Sequence, residues 1–265
     1  MSENYYILLL AAGGASAVMI VLWAVQLRLR DASSVDVAWA AGVGILAIIF
    51  AATGTGYLPR RILVGLMGGL WGLRLFYYLL TDRVLKAEGE DGRYAMLREK
   101  WGRKAPLNFL IFYQVQALFV IAFGLPFFLA SINPHPALSA WDIAGILLWV
   151  VAVSGESVAD RQLARFRRDP GNRGRTCRSG LWRYSRHPNY FFEWIHWWAY
   201  VLISATSAIW WASLFAPLFM IFLLFLVTGI PYTEKRALES RGDDYRDYQR
   251  TTSRFVPWFP RTEAP

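Results

Sequence analysis

NYFFEWIHWWAYVLISATSAIWWASLFAPLFMIFLLFLVTGI, residues 189–230, is apolar or small almost throughout, with Glu193 its one acid, His196 its one histidine and no Lys or Arg. A membrane-spanning helix needs about 20 mostly apolar residues. The run is too long for one such helix and reads as two, divided near 204–213. Five further blocks of spanning length precede it, at 5–27, 35–53, 62–81, 107–132 and 141–159. The first has no charge, and the others hold few: Asp36, Arg74, Asp142 and Glu156. The count is seven spans, with six the main alternative. This blockwise pattern predicts an all-α integral membrane protein, a single domain over residues 1–265.

The rest of the composition agrees. The chain of 265 residues is 55% hydrophobic, with 13 Trp, 13 Tyr and 17 Phe. Its net charge of +9 sits in the loops. Residues 82–106 hold seven Lys/Arg, residues 161–187 nine Arg against the acid Asp169, and the tail after Glu234 seven Lys/Arg, whereas 132–140 and 204–213 hold none. Lys and Arg in short loops mark the cytoplasmic side. Seven spans put every basic loop on that side, with the N-terminus outside and the C-terminus cytoplasmic, and leave only Arg60 and Arg61 misplaced. The basic charge is therefore topological and does not point to nucleic acid, although an excess remains for an anionic ligand. No basic residue precedes the first span, which is not shaped like a cleavable signal peptide. The lone Cys177 excludes an internal disulfide and a cysteine-rich metal site, and no metal ligand set is expected. Nothing in the sequence demands an obligate protein partner.

GLMGGLWG, residues 65–72, lies inside a span, where small residues let helices approach closely. It does not follow a strand and open a helix, so it is not a dinucleotide fingerprint.

An ionisable group inside a span costs about 2.5–3.5 kcal/mol on insertion scales and usually faces a bundle interior or a wet cavity. Asp36, Arg74, Glu156, Glu193 and His196 are such groups. Glu156, Asp160 and Arg167, at i, i+4 and i+11, share one helix face, as do Asn189, Glu193 and His196 at i, i+4 and i+7. Pro188 suits a first helical turn. The helix start there, with Arg183 and Arg186, reads as an anion site for phosphate. Asn189 and Glu193, one turn deeper, suit the hydroxyls or carboxamide of a nucleotide. The competing roles are a helix cap for Asn189 and a bridge from Glu193 to His196 or Arg186.

GLWRYSRHPNYFFEW (180–194), ESVADRQLARFRRDPGNRGR (156–175) and YTEKRALESRGDDYRDYQRTTSRFVPWFP (232–260) occur in this order, and together resemble the steroid 5α-reductase C-terminal domain and the sterol C14 reductases. The resemblance covers about residues 60–260 and is closest to a bacterial branch, which implies a bacterial inner membrane. It implies a seven-helix bundle holding NADPH in a cytoplasm-facing cavity, with an apolar lipid substrate entering from the bilayer. Carried over by motif, Asp160 matches the acid after the fifth span. Arg167 and Arg175 match the phosphate-binding arginines. Tyr184, Arg186 and His187 stand in the signature before Asn189 and Glu193, which match the cofactor-contacting pair. Glu156 and Arg74 join the cofactor-binding set, and Glu234 and Tyr245 resemble the acid and aromatic that close over it. Residues 1–60 match less: the family's Gln-Glu pair is missing and SVDVAW (34–39) offers only Asp36. The implied reaction is hydride addition to an enone-type C=C bond of a steroid, sterol or isoprenoid, with a protonated Asp36 polarising the carbonyl. Two alternatives stay open: an S-adenosylmethionine-dependent membrane methyltransferase, which shares an Arg-His-Pro-x-Tyr motif, and a non-catalytic membrane scaffold.

Overall fold

The computed structural model describes residues 2–86, 89–227 and 229–261, with side chains described from residue 6 onward. Every regular element among the described residues is helical. Six helical stretches are long and apolar enough to cross a membrane: Tyr6–Leu29, Ser34–Thr53, Leu58–Leu85, Gly92–Ser131, Ala140–Arg168 and Trp210–Arg241. The helix that opens the 189–230 run is Pro188–Ser204, of 17 residues. At 1.5 Å per residue it is about 25 Å long, short of the ~30 Å hydrocarbon core. The expected break between the two halves of that run is present, as an irregular turn followed by the 3₁₀ segment Trp210–Leu214. The chain divides into two compact units, Met1–Leu138 with Thr206–Ser213, and Ser139–Ala205 with Leu214–Pro265. The division does not fall near residue 60, where the sequence resemblance fades.

The first unit contains α1 (Ser2–Leu29), α2 (Ser34–Thr53), α3 (Leu58–Leu80), α4 (Gly92–Trp101) and α5 (Ala105–Ser131). A π-helical turn, Thr81–Leu85, extends α3. Lipid is as apolar as leucine, so helices associate through close packing. That is what the glycines of α3 provide: a Cβ on Gly72 would stand 2.5 Å from the Cα of Gly44 in α2. Trp39 packs edge-on against Trp71 at 6.2 Å and Phe123 at 5.6 Å, filling the space the backbones leave. The two arginines that break the charge bias are bound to carbonyl oxygens. Fully buried Arg60 donates to the carbonyls of His135 (2.9 Å) and Ala137 (2.6 Å). Arg61 donates to Ala51 (2.8 Å) and Ala52 (2.7 Å) at the C-terminal end of α2, where the helix dipole is negative.

The second unit contains α6 (Ala140–Arg168), α7 (Pro188–Ser204), α8 (Phe215–Phe222), α9 (Ile230–Arg241) and α10 (Asp243–Thr251), with a π-helical turn at Leu223–Val227 after α8. α6 opens with a capping box in which Asp142 accepts from the Ser139 amide at 2.7 Å. Asp142 is thus a capping residue, which explains one of the acids at a span edge. α6 and α7 pack along their length.

Candidate functional site

The polar face of α6 carries Glu156 and Asp160, both buried, and Arg167 two turns beyond Asp160. α7 faces it from Pro188 onward. The side-chain amide of Asn189 donates to Asp160 at 3.2 Å, while its oxygen accepts from the Tyr190 amide at 3.0 Å. Asn189 therefore ties α7 to α6 through Asp160, a pairing across two helices that spacing within each helix does not give. Glu193 is half-buried and accepts from the indole of Trp197 at 3.1 Å, one turn on. His196 Nε2 lies 3.0 Å from the Tyr200 hydroxyl, one turn further along α7. The loop entering α7 is shaped by Gly180. Its φ of +59 is a left-handed value, and a Cβ there would meet Gln162 at 2.3 Å. The close approach lets the Leu181 amide donate to Gln162 Oε1 at 2.9 Å.

The start of α7 is not the open anion site expected from sequence. Arg186 is buried and its guanidinium pairs with Glu234 of α9 at 2.8 Å. A second Arg186 nitrogen donates to the Gln249 carbonyl at 2.8 Å. His187 Nε2 lies 3.4 Å from the same Glu234 oxygen, and Gln249 donates to the other one at 3.3 Å. Burial lowers the pKa of His187 and outweighs the hydrogen bond to Glu234, which raises it. A strap of chain after α10 then covers this network. The Arg186 amide donates to Ser253 O (2.8 Å), Ser185 Oγ to Phe255 O (2.7 Å) and the Trp258 amide to Tyr184 O (2.9 Å). Glu234 thus neutralises Arg186 from within, and Tyr184 serves through its carbonyl. Tyr245 lies buried against Tyr248, and burial raises its phenol above the ordinary range.

The free positive charge lies elsewhere. A cleft of about 770 Å³ at the end of α6 is lined by Arg167, Arg168, Arg173, Arg175 and Arg241, with one acid, Asp169. Among the described residues none of these arginines has a carboxylate within ion-pair distance. A shallower hollow of about 530 Å³ shares Phe166, Asn172 and Arg175 with the cleft. It holds Thr176, whose hydroxyl is buried without a hydrogen-bond partner among the described residues. Arg167 and Arg175 are where sequence reading placed phosphate ligands. Arg168, Arg173 and Arg241 were missed. The first two stand in the same arginine-rich run and were legible there. Arg241 reaches the cleft from α9, a placement that no local pattern announces.

Asp36 and Arg74 belong to the first unit. Asp36 sits at the start of α2 and its carboxylate is bound by Arg83, by Arg93 at 2.7 Å and by the Tyr94 hydroxyl at 2.8 Å. The expected apolar setting for a neutral acid is absent: two guanidinium groups surround the carboxylate. Neighbouring Asp91 completes the cluster. Burial raises its pKa, but hydrogen bonding and charge from Arg93, with the charge of Arg83, bring it below the usual carboxylate value. Arg74 is half-buried on α3.

Related chains exist in fission yeast. Uncharacterized protein C594.04c of Schizosaccharomyces pombe is 29% identical over 266 residues, covering 89% of this chain and 76% of its own length. Uncharacterized protein C9.08c of the same organism is 31% identical over 118 residues, covering 38% of this chain and 42% of its own. No solved structure matches. The buried polar face of α6, the entry to α7 and the network on Glu234 all fall within residues 22–252, which match the family described as "Protein of unknown function (DUF1295)", and the chain belongs to that family.

Proposed function

We propose that this chain is an NADPH-dependent reductase of an activated C=C bond in an apolar lipid, of the steroid 5α-reductase type. The observation that carries it is the cleft lined by five arginines against the one acid Asp169, with none of the five in an ion pair among the described residues. An unneutralised cluster of guanidinium groups suits a ligand with several phosphate charges, because arginine holds phosphate in a planar, two-pronged contact. The dinucleotide's pyrophosphate and 2′-phosphate are such charges. Asp160 on α6, with Asn189 and Glu193 on α7, offers oxygens that accept from ribose hydroxyls or a carboxamide. When bound, NADPH supplies the hydride. The reduction also needs a proton, and Asp36, committed to Arg83, Arg93 and Tyr94, is not placed to be that neutral acid. In this proposal α7 is the seventh crossing, the cleft faces the cytoplasm of a bacterial cell and the N-terminus lies outside. The substrate, a steroid, sterol or isoprenoid, enters from the bilayer.

S-adenosylmethionine, the cofactor of the methyltransferase reading, carries a positive sulfonium and no phosphate, so the same arginines count against it. The test is thermal unfolding of the purified protein in detergent with NADPH, NADH or S-adenosylmethionine. A ligand at ~100 times its Kd stabilises by about 2.7 kcal/mol. NADPH is expected to raise the melting temperature most. Arg167→Ala or Arg175→Ala should narrow its lead over NADH. Stabilisation by S-adenosylmethionine alone would select the methyltransferase.

A further inference from the structure

The strap after α10 covers the Glu234 network with its backbone but turns its largest side chains outward. Val256, Trp258 and Phe259 are 52, 69 and 75% exposed. Trp258 and Phe259 pack edge to face at 6.4 Å, and Phe259 meets the ring of Tyr184 at 6.2 Å. Their outward pose is fixed, because the Trp258 amide is bonded to Tyr184 O and the Arg261 amide to Thr251 O at 2.8 Å. Pro257 and Pro260 stiffen the turn between.

What lies over this patch follows from where the strap is fastened. Phe255, next to the exposed residues, packs on Phe191 and Trp194 in the first turns of α7, at 5.7 Å from each. It also packs on Phe225 at 5.2 Å, in the π-helical turn where the apolar part of the last spanning stretch ends. Both anchor points are ends of apolar helices. A segment pinned to both is held at the depth where hydrocarbon gives way to headgroups. Trp and Tyr concentrate at that depth, apolar ring inward and polar edge outward. The charges around the patch match it too. Exposed Arg183 and Arg261 make no ion pair among the described residues, whereas Arg254 in the same strap is turned to Glu234 at 3.8 Å. Basic residues at a membrane surface gain about 1 kcal/mol each from anionic lipid.

We propose that the segment 253–261 seats in the headgroup layer of an anionic bilayer through Val256, Trp258 and Phe259, so that the lipid surface holds the strap closed over Arg186 and Glu234. This does not depend on which cofactor the chain uses. It needs only the membrane setting that the apolar helices imply.

Single cysteines carrying an environment-sensitive fluorophore at Trp258→Cys and Phe259→Cys test it, with Asp243→Cys, exposed at the start of α10, as the aqueous comparison. The native Cys177 is buried, and unsubstituted protein supplies the blank. In phosphatidylglycerol bilayers containing lipids spin-labelled near the headgroup, the labels at 258 and 259 should shift to the blue. They should be quenched several-fold more than the label at 243, and less so in phosphatidylcholine or at high salt. All three sites are exposed, so folding should survive, and elution as a single species confirms it. Should one variant not fold, the same label at Val256→Cys reads the same patch. Labels at 258 and 259 that stay polar and unquenched would overturn the proposal. So would labels that shift to the blue but escape lipid quenchers, which would put a second copy or another protein on the patch.

Discussion

Replacing Glu193 by Gln keeps an oxygen where the Trp197 indole donates, and keeps the volume and burial of the side chain. The fold should therefore survive with its melting temperature little changed. If Glu193 holds cofactor hydroxyls, the lost charge should weaken NADPH binding, since hydrogen bonds to charged groups contribute about 1.5–3 kcal/mol, or roughly 10- to 150-fold. Titration of NADPH against both proteins reads this directly; unchanged affinity leaves Glu193 a structural residue. Glu234 should behave in the opposite way. Glu234→Ala leaves Arg186 charged and buried, and breaking a buried pair costs about 3–5 kcal/mol. That change should appear as lower thermal stability before any ligand is added. His187 gives a pH signature. Its pKa is lowered in the fold from the ordinary 6.5, so the unfolded chain binds a proton that the native protein does not. The stability His187 contributes is complete above the unfolded value and is lost as pH falls through the folded one. The melting temperature should fall as pH drops below 6.5, and His187→Gln should flatten part of that fall. These partners show what a linear reading reaches. Helix spacing put Glu156 with Asp160, and Asn189 with Glu193, each pair on one helix face, but did not join Asn189 to Asp160. Nor could it join Glu234 to Arg186, which stand 48 positions apart in the chain.

At the scale of helices, the glycine-rich stretch of α3 was readable as a packing face from its place in an apolar run, and Gly44 against Gly72 shows the contact. Gly72→Ala should cost about 1–3 kcal/mol, since a methyl group there has nowhere to go. Gly13→Ala is the comparison: nothing lies within 4 Å of a Cβ at that position, so the detergent melting temperature should hold or rise slightly. Helix lengths were less legible than helix existence. Hydropathy showed that 189–230 must break, but not that the first piece would stop at 17 residues and the second run on through a π-helical turn. Nor could it show that Arg60 and Arg61 are held by backbone carbonyls. Charge counting treats every arginine alike, whereas these two are spent on helix ends and loops.

For the whole molecule, orientation is the next measurement. Reporters fused at the two ends should report an external N-terminus and a cytoplasmic C-terminus if α7 crosses the bilayer; both ends on one side would mean six or eight crossings. Residue 1 and residues 262–265, where such fusions attach, lie outside the described residues. The overall class was legible because bilayer thickness imposes itself on every spanning block. The division into two units was not, since it depends on which distant pieces pack together. One such piece is Thr206–Ser213, which belongs with the first unit, where the Asn133 amide donates to Thr206 Oγ1 at 2.8 Å. This bears on how the protein is made. A ribosome that has released residues 1–138 has not yet supplied everything the first unit needs; it must wait for residue 213. Co-expression of two fragments cut between residues 138 and 139 should therefore yield a poorly held first half, whereas a cut after residue 213 should leave that half whole.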